Sequence, residues 1–201
     1  MKKDIIKRLL KLFIGGTIAA FSIASVINSG LGCFALTAAN MSLATMTGLS
    51  LGTIGMIVDL TMLAIATYKG EGIGVTALVN ATYCSYMIDI FHAVLPVHPL
   101  MVLGLLIIPL GWGLMGKAGL GDTASNLLMN IFAKETRFNL GIIRAVEECI
   151  FMGIGLIAAS QYVTWFTIVL SLGLGYLLQY GYKLIKYDPT AIKHQYFIKR
   201  H

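Results

Sequence analysis

The chain has 201 residues, of which 57% are hydrophobic and 12% charged, against about 25% charged in a typical soluble domain. Its long segments are apolar all round and show no two-residue alternation, which excludes a water-soluble globule and a β-barrel and predicts an all-α integral membrane protein. The net charge of +6 would suit a nucleic-acid partner, but the placement of the cations along the chain excludes one.

MKKDIIKRLLKLF opens the chain like the basic region of a signal peptide. No convincing A-x-A-like site follows it and further spans do, so a retained first helix is expected. Apolar runs between charges and turn residues predict six spans, at Leu12–Asn28, Leu51–Tyr68, Ile73–Phe91, Leu100–Gly116, Leu140–Ser160 and Val163–Tyr182. No charge lies between Leu12 and Val58. That run is too long for one straight crossing of a core about 30 Å thick. It must break at Gly30, Gly32 and Gly48, and CFALTAANMSLATMT between them reads as a short re-entrant or interfacial helix. With the N-terminus inside, all 15 Lys and Arg residues fall on or near the inner face, in the N-terminal stretch, the inner connections and the C-terminal tail. The outer connections, around NSGLG, AVLPVHP and SQ, hold none, so the basic balance reports a membrane topology with both termini cytoplasmic. Tyr162 and Trp165 suit an aromatic belt at the outer start of the last span.

The chain repeats itself at a shift of 89 residues. SGLG at 29–32 aligns with AGLG at 118–121, and SLGTI at 50–54 aligns without a gap with NLGII at 139–143. Residues 28–59 and 117–148 share nine identical positions, which marks an internal duplication. One membrane domain is expected, with repeat one at about 7–92, repeat two at about 99–185 and a basic tail at 186–201. Three spans per repeat is an odd number, so the two repeats should be inverted in the membrane, as in transporters whose site lies at the repeat interface.

The same shift superposes Asp59 on Glu148. Each lies about eight residues into its span from opposite faces, roughly 12 Å deep at helical rise. Arg144, Glu147 and Glu148 stand at i, i+3 and i+4 on one helix face, where an arginine fork can clamp a carboxylate. Arg144 aligns with Gly55 and has no counterpart. One reading makes these charges a structural ion pair, with Asp59 a hydrogen-bonding group. The other makes a carboxylate the binding site for a proton or a cationic group, with Arg144 a gate or an anion contact.

Asn40 and Asn130, one residue out of register in the two short segments, are candidates to line the site. Asp122 is a candidate for the same lining and for the cap of the second short helix. Asn80, Thr76 and Thr82 suit hydrogen bonds between helices. Asp89, His92 and His98 read as solvated residues near the outer end of span three, without recognisable metal-ligand spacing. Cys33, Cys84 and Cys149 read as small buried hydrophobes, and Gly153/Gly155 and Gly173/Gly175 as close-packing sites rather than dinucleotide motifs.

LFIGGTIAAFSIASVINSGLG, TGLSLGTIGMIVDL and the later GLGD, NLG and Glu pattern resemble bacterial membrane proteins of the YczE/YyaS/YitT group, over most of residues 7–185. The resemblance implies a small polytopic protein of the bacterial cytoplasmic membrane and supplies no substrate. The expected function is a small-solute carrier, proton- or potential-coupled and working by alternating access, with a non-transporting accessory or regulatory membrane protein as the alternative. Asp59, Glu148, Glu147 and Arg144 are its expected binding residues. No nucleophile–base or metal constellation and no Walker motif is apparent, so neither an enzyme nor a cofactor is expected. The expected partners are the lipid bilayer and a small solute or ion, and a homo-oligomer is compatible with the sequence.

Overall fold

The computed structural model describes residues 2–138, 140–184 and 186. Asn139 and most of the expected basic tail, from 187 onward, lie outside them.

The fold is all-α. Helix α1, Lys2–Asn28, is 27 residues long and spans about 40 Å at helical rise. Ser22 and Ser25 in its apolar interior donate to the carbonyls of Ile18 and Phe21, both at 2.7 Å, so neither hydroxyl is left open. The helix stops where Gly30 and Gly32 turn to positive φ. Helix α2, Ala35–Thr47, ends on Gly48 in the left-handed conformation, whose N–H reaches the Ala44 carbonyl. Ser50 caps α3, Leu51–Tyr68, by accepting from the Thr53 N–H. Helix α4, Val75–Val79, runs through a π-helical turn, Asn80–Cys84, into α5, Ser85–Val94. A 3₁₀ segment, Pro99–Leu106, leads into α6, Ile108–Lys117. Helix α7 is Ala124–Thr136 and α8 is Leu140–Ala159; a 3₁₀ turn, Ser160–Tyr162, then connects to α9, Trp165–Leu184.

The second half repeats the first element by element. Adding 89 to the bounds of α2 gives 124–136, the bounds of α7, and adding it to those of α3 gives 140–157, within α8. Backbone dihedrals repeat as well. Gly30 (φ +71°) answers Gly119 (+65°), Gly32 (+130°) answers Gly121 (+103°), and Gly48 (+74°) answers Arg137 (+60°). The copies differ in three places, one being the 3₁₀ turn Ser160–Tyr162, which faces non-helical chain at 71–73. The π turn faces ordinary α-helix in α9, and the 3₁₀ segment faces ordinary α-helix in α1.

The halves interlock. Gly15 of α1 meets Gly111 and Met115, while Gly104 meets Ser22 and Ser25, so α1 and the 99–117 segment cross antiparallel. A Cβ at Gly15 would stand 2.7 Å from the Gly111 carbonyl oxygen, so the crossing depends on small residues. Helix α2 lies against α8, and its counterpart α7 lies against α3. The Gly32 break meets Thr164 before α9, and the Gly121 break meets Gly74 before α4. Each short helix and each glycine break therefore packs on the opposite half.

Three helical segments, Asp4–Asn28, Leu51–Tyr68 and Pro99–Lys117, are long and apolar enough to cross a membrane. Of the other expected spans, α8 is 20 residues long but carries Arg144, Glu147 and Glu148, and α4 and α5 are separated by the π turn. In α9 the apolar stretch among the described residues is Trp165–Leu174. Large aliphatic side chains, including Ile57, Ile150, Ile157 and Leu172, project from the outside of the helices. An exterior of that kind is solvated by lipid rather than water.

Several sequence expectations need correction. Asp89 is not a loop residue: its carboxylate accepts from the Gly52 N–H and the Ser50 hydroxyl, both at 2.6 Å, and holds the start of α3. His92 and His98 are exposed, as expected of solvated residues, His92 pairing with the Asn28 side chain and His98 accepting from the Leu100 N–H. Thr123, not Asp122, caps α7. Cys33 and Cys84 are buried, but Cys149 faces outward from α8. Gly155 packs against Ala39 and Val163, whereas Gly153 and Gly173 have open space where a Cβ would stand. Thr82 bonds back to the Leu78 carbonyl within its own helix.

At one end of the bundle, Lys69 pairs with Glu135 at 2.8 Å and Lys134 pairs with Glu71, joining the α3–α4 connection to α7. Hydrogen bonding to Glu135 raises the Lys69 ammonium above the usual lysine range.

Candidate functional site

Gly52, Gly55 and Asp59 recur at helical spacing and form one stripe of α3. Gly52 lets the α5 backbone approach at Ser85, Gly55 leaves room above the carboxylate, and all three residues line a cavity of about 120 Å³. Arg144 and Glu148 enter the same cavity from α8, and Asn40 enters it from α2. A second cavity of about 150 Å³ adjoins it, sharing Leu36, Asp59, Asn80, Trp112 and Arg144. Asp122, Ser125 and Asn126 line its far part. A water occupies about 30 Å³ in the liquid, so polar walls of this extent can hold several.

The π turn supplies the partner for Asp59. Asn80 Nδ2 donates to Asp59 Oδ2 at 2.7 Å, and Asn80, Cys84 and Ser85 all line the first cavity. An extra residue in a helical turn swings the following side chains round the axis, and such turns are frequent at functional sites. The corresponding α9 stretch begins with Val169, which has no hydrogen bond to offer.

On α8 the arginine fork divides between two carboxylates. Arg144 Nη2 lies 2.9 Å from Glu148 Oε1, and Nη1 lies 3.2 Å from Glu147 Oε2. Ser125 of α7 donates to Glu147 Oε1 at 2.6 Å and accepts from Arg144 Nη1 at 3.4 Å. Glu148 is only 5% exposed. Its Oε2 has no hydrogen-bond partner among the described residues, nor has Asn40 Oδ1 on a side chain 9% exposed. Two buried acceptors thus remain unpaired on residues that line the first cavity. Leaving such a group unpaired costs about 1–3 kcal/mol.

Asp59, Glu148, Arg144, Asn40 and Asp122 therefore gather round two adjoining cavities, and Glu147 reaches their wall through Ser125. Asp122 is itself held, accepting from the Thr123 N–H at 2.8 Å and from Asn126 Nδ2 at 2.7 Å. Asn130 does not line either cavity. It aligns with Met41, which packs against an apolar cluster, whereas the counterpart of Asn40 is Met129 beside Arg144. Asn126, one turn before Asn130, lines the cavity instead. Trp112, Ser125 and Asn126 carry no motif, and their equivalents in the other half are Ile23, Leu36 and Thr37. The position of Asn80 was visible only as a polar residue inside an apolar span, which is the signal that intramembrane amides give.

A duplicated helical unit with three membrane-length apolar helices and a charged cavity between its copies defines an α-helical membrane protein built by repetition. The chain belongs to a family of unknown function, DUF6198, whose model matches residues 6–100 and again 97–199. Each match covers one half, so the family unit is the repeat itself. No curated protein and no solved structure matches the chain.

Proposed function

We propose that the protein is a small-solute secondary carrier of the bacterial cytoplasmic membrane, with six spans, both termini inside and two inverted repeats that rock to give alternating access. One observation carries this reading. Asp59 and Glu148, equivalent positions of the two repeats, open into the same polar cavity. Carriers built from inverted repeats keep their site at such an interface, and a carboxylate held inside a membrane protein is costly unless it has a use or a partner. The antiparallel crossing of α1 with 99–117 favours inversion, because a two-fold axis that exchanges antiparallel helices lies across them and hence in the membrane plane. The crowding of Lys and Arg on one face of the predicted topology favours cytoplasmic termini. Arg144 and Glu147 tune the second carboxylate, and Asp59 is the freer proton- or cation-binding group. The groups around Asp59 are Asn80 from the π turn, the Arg144 cluster on α8 and Asp122 before α7.

The test needs no identified solute. The purified protein in liposomes adsorbed on a solid-supported electrode is subjected to a pH jump. The wild type gives a transient charge displacement as the buried carboxylates exchange protons, and Asp59→Asn and Glu148→Gln each remove most of it. Wild-type charge movement in both variants, when both remain folded and monodisperse, contradicts the assignment and favours a non-transporting accessory protein.

A further inference from the structure

The walls of the two adjoining cavities are chemically one-sided. Asp59, Asp122 and Glu148 line them against a single guanidinium, Arg144. That cation is already engaged by Glu148, Glu147 and Ser125, so little of it is left for an anionic ligand. Besides the buried Thr76 hydroxyl in the wall of the second cavity, the unpaired polar atoms here among the described residues are Glu148 Oε2 and Asn40 Oδ1, both buried acceptors. They call for N–H or O–H donors. The apolar part of the wall is mostly aliphatic, from Ile23, Leu36, Leu51, Ile88 and Leu174, and includes two aromatic rings. Trp112 borders both cavities and Phe34 borders the first, their ring centroids 6.4 Å apart and the planes tilted by 44°. Aromatic faces attract cations and accept apolar groups.

We propose that the first of these cavities binds a small organic cation, a protonated primary or secondary amine bearing an apolar group. Its N–H bonds go to Glu148 Oε2 and Asn40 Oδ1, its charge is balanced by Asp59, and its apolar part lies against Trp112 and Phe34. This inference rests on the carrier reading for the ligand's passage across the membrane, while its binding is a separate claim.

Isothermal titration of the full chain in lipid nanodiscs tests it with four probes: benzylammonium, benzyltrimethylammonium, benzyl alcohol and benzoate. Benzylammonium binds saturably, the quaternary analogue binds more weakly because it has no N–H to donate, and the alcohol and the anion bind least. Asp59→Asn weakens benzylammonium about tenfold or more, a change of about 1.4 kcal/mol, and Asp59→Glu restores much of it. Trp112→Leu weakens it about threefold to tenfold, and this second site keeps the proposal testable should Asp59→Asn fail to fold. Absence of saturable benzylammonium binding, a preference for benzoate or benzyl alcohol, or wild-type affinity in Asp59→Asn overturns the proposal. The two readings fail separately. Asp59-dependent binding without charge displacement after a pH jump retains the ligand class and removes the carrier, and charge displacement without ammonium binding does the reverse.

Discussion

Arg144 stands where the first half has Gly55, and that difference is one of those that make the two sides of the cavity unlike. On the α3 side the glycine leaves space over Asp59, whose hydrogen-bond donor among the described residues is an amide. On the α8 side the guanidinium fills the space and holds two carboxylates. Removing one partner of a buried pair strands the other, at a cost of about 3–5 kcal/mol, whereas removing both costs much less. Arg144→Met is therefore expected to lower stability by about that amount, and Arg144→Met with Glu148→Gln to recover at least half of the loss, read from unfolding midpoints in nanodiscs. Equal losses in the single and double variants would show that the clamp contributes nothing as a pair. The pairing of Asp59 with Glu148 and the Arg144 clamp could be read from sequence, because a repeat shift and an i, i+4 spacing are both one-dimensional signals. Asn80 could be read only as an amide suited to a hydrogen bond between helices, and Ser125 and Trp112 could not be read at all. Each faces an apolar residue in the other copy, and only three-dimensional packing and the π turn bring them to the carboxylates.

At the scale of elements, α2 and α7 show one design executed with different residues. Both end in a left-handed residue whose N–H returns to the carbonyl four positions earlier, Gly48 to Ala44 at 2.8 Å and Arg137 to Ala133 at 3.0 Å. A residue with a Cβ is strained there by about 1–2 kcal/mol, and glycine is not. Gly48→Ala should therefore destabilise the protein by about 1 kcal/mol, while Arg137→Gly should stabilise it by up to about that amount. Thermal unfolding of the two variants side by side checks the pair, and a loss in both would show that the Arg137 side chain contributes more than its backbone costs. The short helices were expected because an uncharged run from Leu12 to Val58 cannot cross once. Their caps were harder to see. Thr123 takes the capping role expected of Asp122, because the hydroxyl at the residue before α7 reaches the Asn126 N–H directly and frees Asp122 to border the cavity. Asp89 similarly acts on α3 across a distance of 37 residues in the chain, a contact that no local pattern announces.

For the whole molecule, the duplication explains both the interlocking and the cavity. Each half lends its short helix to the other, α2 to α8 and α7 to α3, so neither half has a complete packing surface alone. The equivalent carboxylates then open into one space because both copies contribute the same helix position to the interface. The number of repeats was plain in the sequence. Their mutual orientation was not, because a linear alignment carries no direction in space and inversion was inferred from the odd span count. The central claim, that the cavity communicates in turn with both sides of the membrane, is tested most directly by thiol accessibility. In a background with Cys33, Cys84 and Cys149 replaced by alanine, Thr37→Cys in the cavity wall is exposed to a membrane-impermeant methanethiosulfonate in right-side-out and inverted vesicles, with Thr45→Cys, proposed to lie at the outer mouth beside Ser50, as the control for sidedness. The account predicts that Thr37→Cys reacts from both faces while Thr45→Cys reacts from the outside alone; reaction of Thr37→Cys from one face only, or from neither, would contradict it.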